Sequence, residues 1–377
     1  MRILHIANDF AGSKVHSCLV KSLDALGIDQ TVYCPVREER LLGGNRFLGN
    51  HTNFAYSYCI KSWYKYVYYY KERKLYKDLK SNVDLANVEF IHAHTLFSDG
   101  GLAYKAYKEY GVKYAVAIRN TDVNDYLRLM KHTYPYGRKI LLNAEKIFFI
   151  SVGLKNTFER SSFCKPIFSQ IKDKFVVQPN GIDAFWHQHI SRNREYGHNL
   201  LYVGDFSANK NVVRLCESVI RLKEEAGFED VGLTIVGGEV LGGERKNDGK
   251  TQQMIDNHPD VIRAVGKIYD KNELMSIMKS CSLFAMPSIT ETFGLVYVEA
   301  LSQNLPVIYT TGQGIDGMFD ESVGIGVNAF SVVDIKDAIK TVFLNPEKYS
   351  NKNVHFDDFK WDNIAKKYLS IYNEITH

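Results

Sequence analysis

The sequence predicts an α/β protein built from two doubly wound parallel sheets. Short β-branched or aromatic runs recur along the whole 377-residue chain, each followed by a turn signal and a helical pattern. Strands separated by helix-length segments indicate βαβ units and parallel sheets. The chain is also about twice as long as an ordinary domain of roughly 100–200 residues. We therefore expect two domains, each with its ligand site at the carboxyl ends of the strands.

The predicted strands form one series in each half of the chain. The runs of the first half are Ile3–Ala7, Gln30–Cys34, Phe90–His92, Tyr114–Ile118, Lys146–Ile150 and Phe175–Gln178. Those of the second half are Leu200–Val203, Leu233–Val236, Val261–Val265, Leu283–Met286 and Val307–Tyr309. Between the series, Pro, Asn and Gly punctuate the turn Pro179–Asp183. We place the domains at 1–180 and 181–357, with an amphipathic helix following to the end of the chain.

Composition excludes several classes of protein. Hydrophobic residues make up 45% and charged residues 24% of the chain, as in soluble globular proteins. Apolar runs stay short of the ~20 residues of a membrane span, and the N-terminus opens directly as a strand, so we expect a cytoplasmic protein. The six scattered cysteines favour buried thiols over disulfides or zinc. A net charge of +4 is too mild to predict nucleic-acid binding but suits an anionic substrate or a membrane surface.

The strongest chemical signal lies in residues 283–316. A buried strand is followed by a polar loop with Glu291, and Phe293-Gly294-Leu295 then opens a helix that we expect to end near Gln303. A helix N-terminus beside a glycine favours phosphate, because its free N–H groups and its dipole both attract an anion. Glu299 lies one turn further along the same face, where a carboxylate can accept two sugar hydroxyls.

This stretch resembles the donor site of the family 4 glycosyltransferases, the retaining group with the GT-B fold. Glu291 and Glu299 stand as the family's E-x7-E, Pro179–Asp183 resembles its P-N-G-I-D segment, and Leu233–Gly238 its I-V-G strand end. The resemblance implies two Rossmann-like domains that face each other across a cleft. It also implies that the C-terminal helix, 358–377, crosses back onto the first domain.

The resemblance assigns the donor site residue by residue. It implies that Glu291 holds the donor sugar, that the amides at Phe293, Gly294 and Leu295 hold the diphosphate, and that Glu299 binds the ribose. It places the base near Gly266 and Ile268, at the end of a strand. The implied donor is a nucleotide sugar, UDP- or GDP-linked, the implied acceptor is a glycan or a lipid-linked saccharide, and no cofactor or metal is implied.

One further motif matches only in part. Val203–Lys210 resembles the family's V-G-R-L-x-x-x-K, with Lys210 in place to stabilise the leaving diphosphate and Asp205 where the family has Arg. An acid beside a diphosphate is repulsive, so Asp205 either points away or alters donor binding.

The first domain departs further from the family pattern. Gly12 fits the Gly-rich loop after the first strand, and residues 118–122 fall where the family reads H-G-x-D. There Arg119 replaces the active-site His and Asn120 the Gly, while Asp122 is kept. We count Arg119 as catalytic, in partial exchange for the missing cation at Asp205; a structural salt bridge to Asp122 or Asp125 is the alternative.

Two other features have alternative interpretations. His92-Ala93-His94 looks like a metal pair but has no obvious third ligand, so we favour strand-end residues lining the cleft, with His94 on the acceptor side.

Residues 54–80 interleave tyrosines and Trp63 with basic residues. From Lys61 to Lys80 there are seven Lys or Arg and two acidic residues. That composition suits the cytoplasmic face of the inner membrane, or else a pair of solvated surface helices. Residues 239–250 are predicted to be a solvated loop.

The sequence therefore predicts a retaining glycosyltransferase that moves a sugar from a nucleotide diphosphate to a glycan or lipid-linked acceptor, as in bacterial polysaccharide assembly. A catalytically silent GT-B subunit supporting a partner transferase, and a nucleotide-sugar epimerase or hydrolase on the same fold, are the alternatives.

Overall fold

The computed structural model describes residues 1–239 and 248–376. The chain divides into two compact units. The first unit contains residues 1–150, 154–181 and the chain from Asp357 onward, and the second contains residues 151–153 and 182–356. Of the predicted loop 239–250, residues 240–247 lie outside the described residues.

The described part of the first unit contains one parallel sheet of seven strands. They are β1 (Arg2–Ile6), β2 (Asp29–Val36), β3 (Thr52–Tyr58), β4 (Phe90–Ala93), β5 (Lys113–Ile118), β6 (Lys146–Phe149) and β7 (Phe175–Val177). Their order in the sheet is β3-β2-β1-β4-β5-β6-β7. The direction of strand order reverses between β1 and β4, so the carboxyl ends of these two strands flank the usual ligand position of such a sheet.

Helices connect these strands and continue into the second unit. They are α1 (Lys14–Ala25), α2 (Tyr68–Asn82), α3 (Gly100–Tyr110), α4 (Leu127–Leu129), α5 (Tyr134–Asn143), α6 (Val152–Arg160) and α7 (Phe168–Ile171). The helices of the second unit are α8 (Ala184–Gln188), α9 (Val212–Lys223), α10 (Gly249–Asn257), α11 (Lys271–Lys279), α12 (Leu295–Ser302) and α13 (Val332–Leu344). The last helix, α14 (Trp361–Thr376), returns to the first unit.

The C-terminal helix covers one face of the first sheet. Ile364, Tyr368 and Tyr372 follow one another at four-residue spacing, so they form a single apolar stripe. They are buried in one cluster with Phe90 of β4 and Phe148 of β6. Burying each such side chain stabilises the fold by about 1.5–3 kcal/mol, so α14 is an integral part of the first unit.

The described part of the second unit contains a parallel sheet of six strands. They are β8 (Asn199–Asp205), β9 (Gly232–Gly238), β10 (Ile262–Gly266), β11 (Leu283–Ala285), β12 (Val307–Thr310) and β13 (Gly324–Val327), in the order β10-β9-β8-β11-β12-β13. The strand order reverses between β8 and β11, so this pair flanks the corresponding ligand position of the second sheet.

Residues 54–80 do not form a pair of helices, which was one of our two interpretations. Residues 54–58 complete β3, a 3₁₀ turn follows at Ser62–Tyr66, and α2 supplies the only long helix in this stretch of the described chain. Tyr68, Leu75 and Tyr76 of α2 are buried, whereas Tyr66, Tyr69 and Tyr70 are exposed. The tyrosines therefore divide between the core and one outer surface. Among the described residues, none of the helices combines the length and apolarity needed to cross a membrane.

Candidate active site

Hydrogen bonds join two loops at the carboxyl edge of the second sheet, one after β8 and one after β11. The Asn209 side chain donates to the carbonyl of Thr290 (2.8 Å) and accepts from its backbone N–H (3.1 Å). Asn211 adopts the left-handed region (φ 60°), which Asn tolerates, and its side chain donates to the carbonyl of Pro287 (2.9 Å). Lys210 lies between these two asparagines, so its backbone is fixed on both sides.

Lys210 forms an ion pair with Glu291. The distance from Lys210 Nζ to Glu291 Oε2 is 2.7 Å, and the side chains are only 19% and 13% exposed. The other carboxylate oxygen of Glu291 accepts from the backbone N–H of Thr292 (3.1 Å). The backbone of Glu291 is fixed as well, since its N–H donates to Gln313 Oε1 (3.2 Å) and its carbonyl accepts from Gly314 (2.8 Å). A charge-assisted pair with both partners fixed is a preorganised polar site.

The helix α12 begins immediately beyond this pair. Gly294 caps it in the left-handed region (φ 77°), and a Cβ at this position would lie 2.6 Å from the ring of Tyr297. The Tyr297 hydroxyl donates to the carbonyl of Met286, which ties the helix to the end of β11. Phe293 is buried. Glycine is therefore required at this position. The free backbone N–H groups at the start of α12 are a site where an anion would bind.

Glu299 lies on α12 in a half-buried position. Burial raises the pKa of its carboxyl to about 7, while a hydrogen bond with the side chain of Trp186 acts in the opposite direction. Asp183, which is paired with Lys271 (2.5 Å), also raises this pKa, whereas Lys271 lowers it.

Asp205 and the predicted base site lie on the same edge of the sheet. One carboxylate oxygen of Asp205 accepts from the backbone N–H of Ser207 (3.0 Å), so the acid caps its own loop. Gly266 ends β10 in the left-handed region (φ 79°), and Ile268 follows it, half-buried. Since β10 is two strands from β8, these residues lie about 10 Å along the edge from the strand that precedes Lys210.

Asp122 holds the loop that follows β5 in the first unit. Its carboxylate accepts from the backbone N–H groups of Leu96 (3.0 Å), Phe97 (3.1 Å) and Arg119 (2.9 Å). Burial raises the pKa of this carboxyl to about 6, and these hydrogen bonds lower it. The Arg119 guanidinium donates through Nε to the carbonyl of His94 (3.3 Å), and burial lowers its pKa while nearby acids raise it. Asp122 thus accepts from the backbone N–H of Arg119, and its charge also acts to raise the pKa of the guanidinium.

The remaining predicted residues of the first unit lie on loops at the same edge. Gly12 and Ser13 both donate backbone N–H bonds to the carbonyl of Asp9 (3.1 and 2.9 Å), which forms the turn before α1. Asn120 is exposed and accepts a hydrogen bond from Asn124.

Sequence reasoning missed three residues of these two edges. Trp186, the partner of Glu299, follows P-N-G-I-D by three residues, a spacing that could have identified it. Asp99, whose pKa burial raises to about 8, precedes a Gly-Gly helix start. His5 lies against His94 (3.1 Å between ring nitrogens), where we expected no further imidazole; burial lowers the pKa of His5 to about 4. Only the pairing of β1 with β4 could have shown that contact.

Two solved structures identify the fold. Sucrose-phosphate synthase of Thermosynechococcus elongatus superposes with a TM-score of 0.72 over 100% of this chain and 99% of its own, at 15% identity. Anabaena HepE, in complex with UDP and glucose, superposes with a TM-score of 0.68 over 99% and 100%, at 14% identity. The two sheets, their helices and these neighbours show the GT-B fold, as predicted.

The family match and the sequence relatives all point to glycosyltransferases. Residues 187–353 match the glycosyl transferases group 1 family. An uncharacterised glycosyltransferase of Methanocaldococcus jannaschii is 23% identical over 318 residues, which cover 80% of each chain. The putative teichuronic acid biosynthesis glycosyltransferase TuaC of Bacillus subtilis is 22% identical over 71% of this chain and 62% of its own length. The family match over residues 187–353 and these relatives support a group 1 glycosyltransferase with the GT-B fold.

Proposed function

We propose that this glycosyltransferase moves a sugar from a nucleotide-diphosphate donor to a glycan or lipid-linked acceptor, with retention at the anomeric carbon. The observation that carries the proposal is the Lys210–Glu291 ion pair beside the N-terminus of α12, with Glu299 on the same helix. Together these groups offer a cation, helix amides and two carboxylates along one sheet edge, which are the groups that a diphosphate linking a sugar to a ribose requires.

Each group has a distinct role in this proposal. The amides of Gly294 and Leu295 and the ammonium of Lys210 bind the diphosphate, and Glu299 accepts hydrogen bonds from the ribose hydroxyls. Glu291 leaves its contact with Lys210 and accepts hydrogen bonds from the donor sugar. Lys210 then faces the oxygen on which charge develops as the sugar leaves. Losing one such charge partner typically costs about 10²–10³-fold in turnover.

The transfer step needs no protein nucleophile. The acceptor hydroxyl oxygen bonds to the anomeric carbon on the face from which the phosphate oxygen departs, and the hydroxyl proton passes to the leaving diphosphate. The E-x7-E resemblance supports retention. Because Lys210 and the α12 amides compensate the charge of the leaving group, we propose that transfer requires no cofactor and no metal.

UDP is the first nucleotide to test, because the solved structure of the neighbour HepE contains UDP and glucose. GDP sugars are the alternative donors. TuaC, named for teichuronic acid biosynthesis, supports an acceptor in the assembly of a bacterial surface polysaccharide. We assign the acceptor to the first unit, where His94, Asn120 and Asp122 lie at the carboxyl edge of the sheet.

We further propose that the first unit binds the cytoplasmic face of the inner membrane through the surface around α2. Trp63, Tyr66, Tyr69 and Tyr70 are all exposed there, and Tyr66 is 77% exposed. Arg73 and Lys74 lie one turn after the two helical tyrosines, and the Lys74 ammonium lies 5.5 Å from the centre of the Tyr70 ring. Amphipathic aromatic rings and basic side chains on one surface suit the headgroup layer of an anionic bilayer.

A screen of melting temperature against UDP, GDP and ADP sugars tests the donor proposal. A ligand at 100 times its dissociation constant adds about 2.7 kcal/mol to the free energy of unfolding. The donor that stabilises the chain is then incubated alone. Slow release of nucleoside diphosphate with free sugar supports a transferase, an altered nucleotide sugar indicates an epimerase, and an unchanged donor indicates a silent subunit. With an acceptor in place, the anomeric configuration of the product tests retention.

A further inference from the structure

Three histidine side chains meet inside the first unit. His5 of β1 and His92 of β4 are direct neighbours in the parallel register, and His94 lies two residues further along the chain. Neighbouring registered residues, and residues two apart along a strand, point to the same face of a sheet. The three imidazoles are buried, and their nitrogens lie within 4.8 Å of one another.

Hydrogen bonds fix the tautomer of one ring and restrict the next. The Gln30 amide donates to the carbonyl of Val20 (2.7 Å), so its Oε1 accepts from His5 Nε2 (3.0 Å). A neutral His5 therefore carries its lone pair on Nδ1, which faces His94 Nε2 at 3.1 Å. His94 must then donate through Nε2, and its Nδ1 carries a lone pair.

Within this cluster, the buried ring nitrogens His92 Nε2 and His94 Nδ1 have no hydrogen-bond partner among the described residues. His92 Nδ1 contacts the hydroxyl of Tyr372 on α14, which leaves Nε2 alone. An unsatisfied buried polar atom costs about 1–3 kcal/mol, so two in one cluster require an explanation.

We propose that His5, His92 and His94 form a structural binding site for a divalent transition metal, with Zn²⁺ the best-suited ion. Imidazole nitrogens bind zinc at about 2.0–2.1 Å, and in a tetrahedral site two ligand nitrogens are then about 3.3 Å apart. The separation of 3.1 Å between His5 Nδ1 and His94 Nε2 is close to that value, and a metal bound there would replace their hydrogen bond, with the His94 proton moving to Nδ1. Bringing the widest pair from 4.8 Å to this value requires ring shifts of about 1.5 Å.

The surroundings match those of histidine ligands to metals. Such ligands usually hold their second ring nitrogen in a hydrogen bond, which fixes the orientation of the ring. Gln30 does this for His5 and Tyr372 for His92. The absence of carboxylate ligands from this set disfavours Mg²⁺ and Ca²⁺, which require oxygen, and imidazole suits zinc, nickel and copper.

The metal would join three parts of the first unit. It links β1 to β4 directly and, through the Tyr372 hydroxyl, fixes α14 against the sheet. This role is independent of the donor site proposed above, because none of the three histidines is assigned to the donor. A bound cation is opposed by the nearby Arg119 guanidinium, which also lowers the pKa of His94.

Metal analysis of the purified, untagged chain tests the site. After dialysis against Zn²⁺ and then against metal-free buffer, we expect about one zinc per chain and a melting temperature above that of the EDTA-treated protein. The variants His92→Gln and His94→Gln should each lose the zinc. His16→Gln should retain it, because His16 is a buried imidazole with its ring centre 4.6 Å from that of His94 but lies outside the ligand set.

The absorption spectrum of the Co²⁺-loaded wild-type chain tests the site even if the variants fail to fold. Co²⁺ bound by imidazoles gives d–d bands without the thiolate charge-transfer band that the free cysteines would produce. The proposal is overturned by a wild-type chain that retains no Zn²⁺ or Co²⁺, by a spectrum with thiolate bands alone, or by folded His94→Gln that retains full stoichiometry.

Discussion

The ammonium of Lys210 lies 2.7 Å from the carboxylate of Glu291, in a site where both side chains are more than four-fifths buried. The cation that we propose to face the leaving phosphate and the carboxylate that we propose to bind the sugar are thus in mutual contact. In the proposed mechanism, donor binding breaks the contact between Lys210 and Glu291 and replaces it by hydrogen bonds from both groups to the donor. A complete nucleotide sugar, which contacts both groups, should therefore bind more tightly than a fragment of it.

Removing Glu291 should separate sugar handling from nucleotide binding. In Glu291→Ala we expect donor turnover to fall by at least about 10²-fold. Affinity for the nucleoside diphosphate should stay unchanged or rise, because Lys210 loses its internal counter-charge. Turnover and calorimetric binding measure the two effects. Glu299→Ala is the matched comparison and should weaken nucleotide binding itself. Normal turnover in both variants would show that neither carboxylate acts on the donor.

Donor binding should depend on pH through Glu299. Its pKa of about 7 lies above the ordinary value, so between about pH 4.5 and 7 the folded chain holds this proton more tightly than the unfolded chain. The contribution of Glu299 to the free energy of unfolding therefore falls as pH rises through that window.

The ionised carboxylate is the form that accepts both ribose hydroxyls, so affinity for the donor should rise as pH increases through 7. With a pKa of about 7, the gain between pH 6 and 8 is roughly tenfold. An intact nucleotide sugar is the probe, since its diphosphate does not titrate in this range. Glu299→Gln should bind more weakly at pH 8 with a flat profile. An equally steep profile in that variant would mean that another group titrates.

Local sequence was sufficient for most of the fold. Buried parallel strands are continuous apolar runs, and the predicted runs around Leu200, Leu233 and Leu283 are all strands in the second sheet. The two missed strands, β3 and β13, are the terminal strands in the order of their sheets. The residues of β3 are only half-buried or exposed, and β13 reads Gly-Ile-Gly-Val, so neither shows the pattern of a central strand.

The parts of the candidate sites that lie within one continuous segment of the chain could be predicted from the sequence. The start of α12 and the spacing of Glu291 and Glu299 are local facts. The contact of Lys210 with Glu291 joins residues 81 positions apart, and the resemblance rather than the pattern suggested that both belong to one site. The His5–His94 contact spans 89 positions and depends on strand order, which alternation along the chain does not specify.

Arg119→Ala tests whether this guanidinium acts in transfer. If it stabilises charge during the reaction, turnover should fall by about 10²-fold, and Arg119→Lys should recover part of the loss. The loop should remain folded, because Asp122 bonds to the backbone N–H of residue 119 rather than to its side chain. Turnover per folded molecule and the melting temperature are measured together. A lower melting temperature with unchanged turnover would assign Arg119 a structural role.

Turnover of the donor is expected to continue in EDTA. Lys210 and the α12 amides supply the charge that Mg²⁺ or Mn²⁺ supplies in metal-dependent transferases. The assay is run well below the melting temperature, because removing a metal from the proposed histidine site would affect unfolding and not the donor. Complete loss of turnover on chelation, restored by Mg²⁺ or Mn²⁺, would contradict a metal-free transfer.

The last prediction concerns the surface around α2, where Trp63 and three tyrosines are exposed beside basic side chains. Each Lys or Arg near an anionic leaflet contributes about 1 kcal/mol, and the attraction fades within a Debye length of about 8 Å at physiological salt. We expect the chain to co-sediment with vesicles that contain anionic lipid, strongly at low salt and weakly at high salt.

Reversing Lys61, Arg73 and Lys74 to Glu should lower this binding by more than about 10²-fold, because three attractions of about 1 kcal/mol each are lost and the new charges are repelled. The matched control reverses three exposed lysines on other elements of the first unit: Lys108, Lys165 and Lys172. That control has the same net charge, so it should bind far more tightly than the first variant if the α2 surface faces the bilayer. If both variants lost vesicle binding equally, the binding would depend on the net charge of the chain and not on the α2 surface. Unchanged binding in the first would place the lipid contact elsewhere and favour a soluble acceptor.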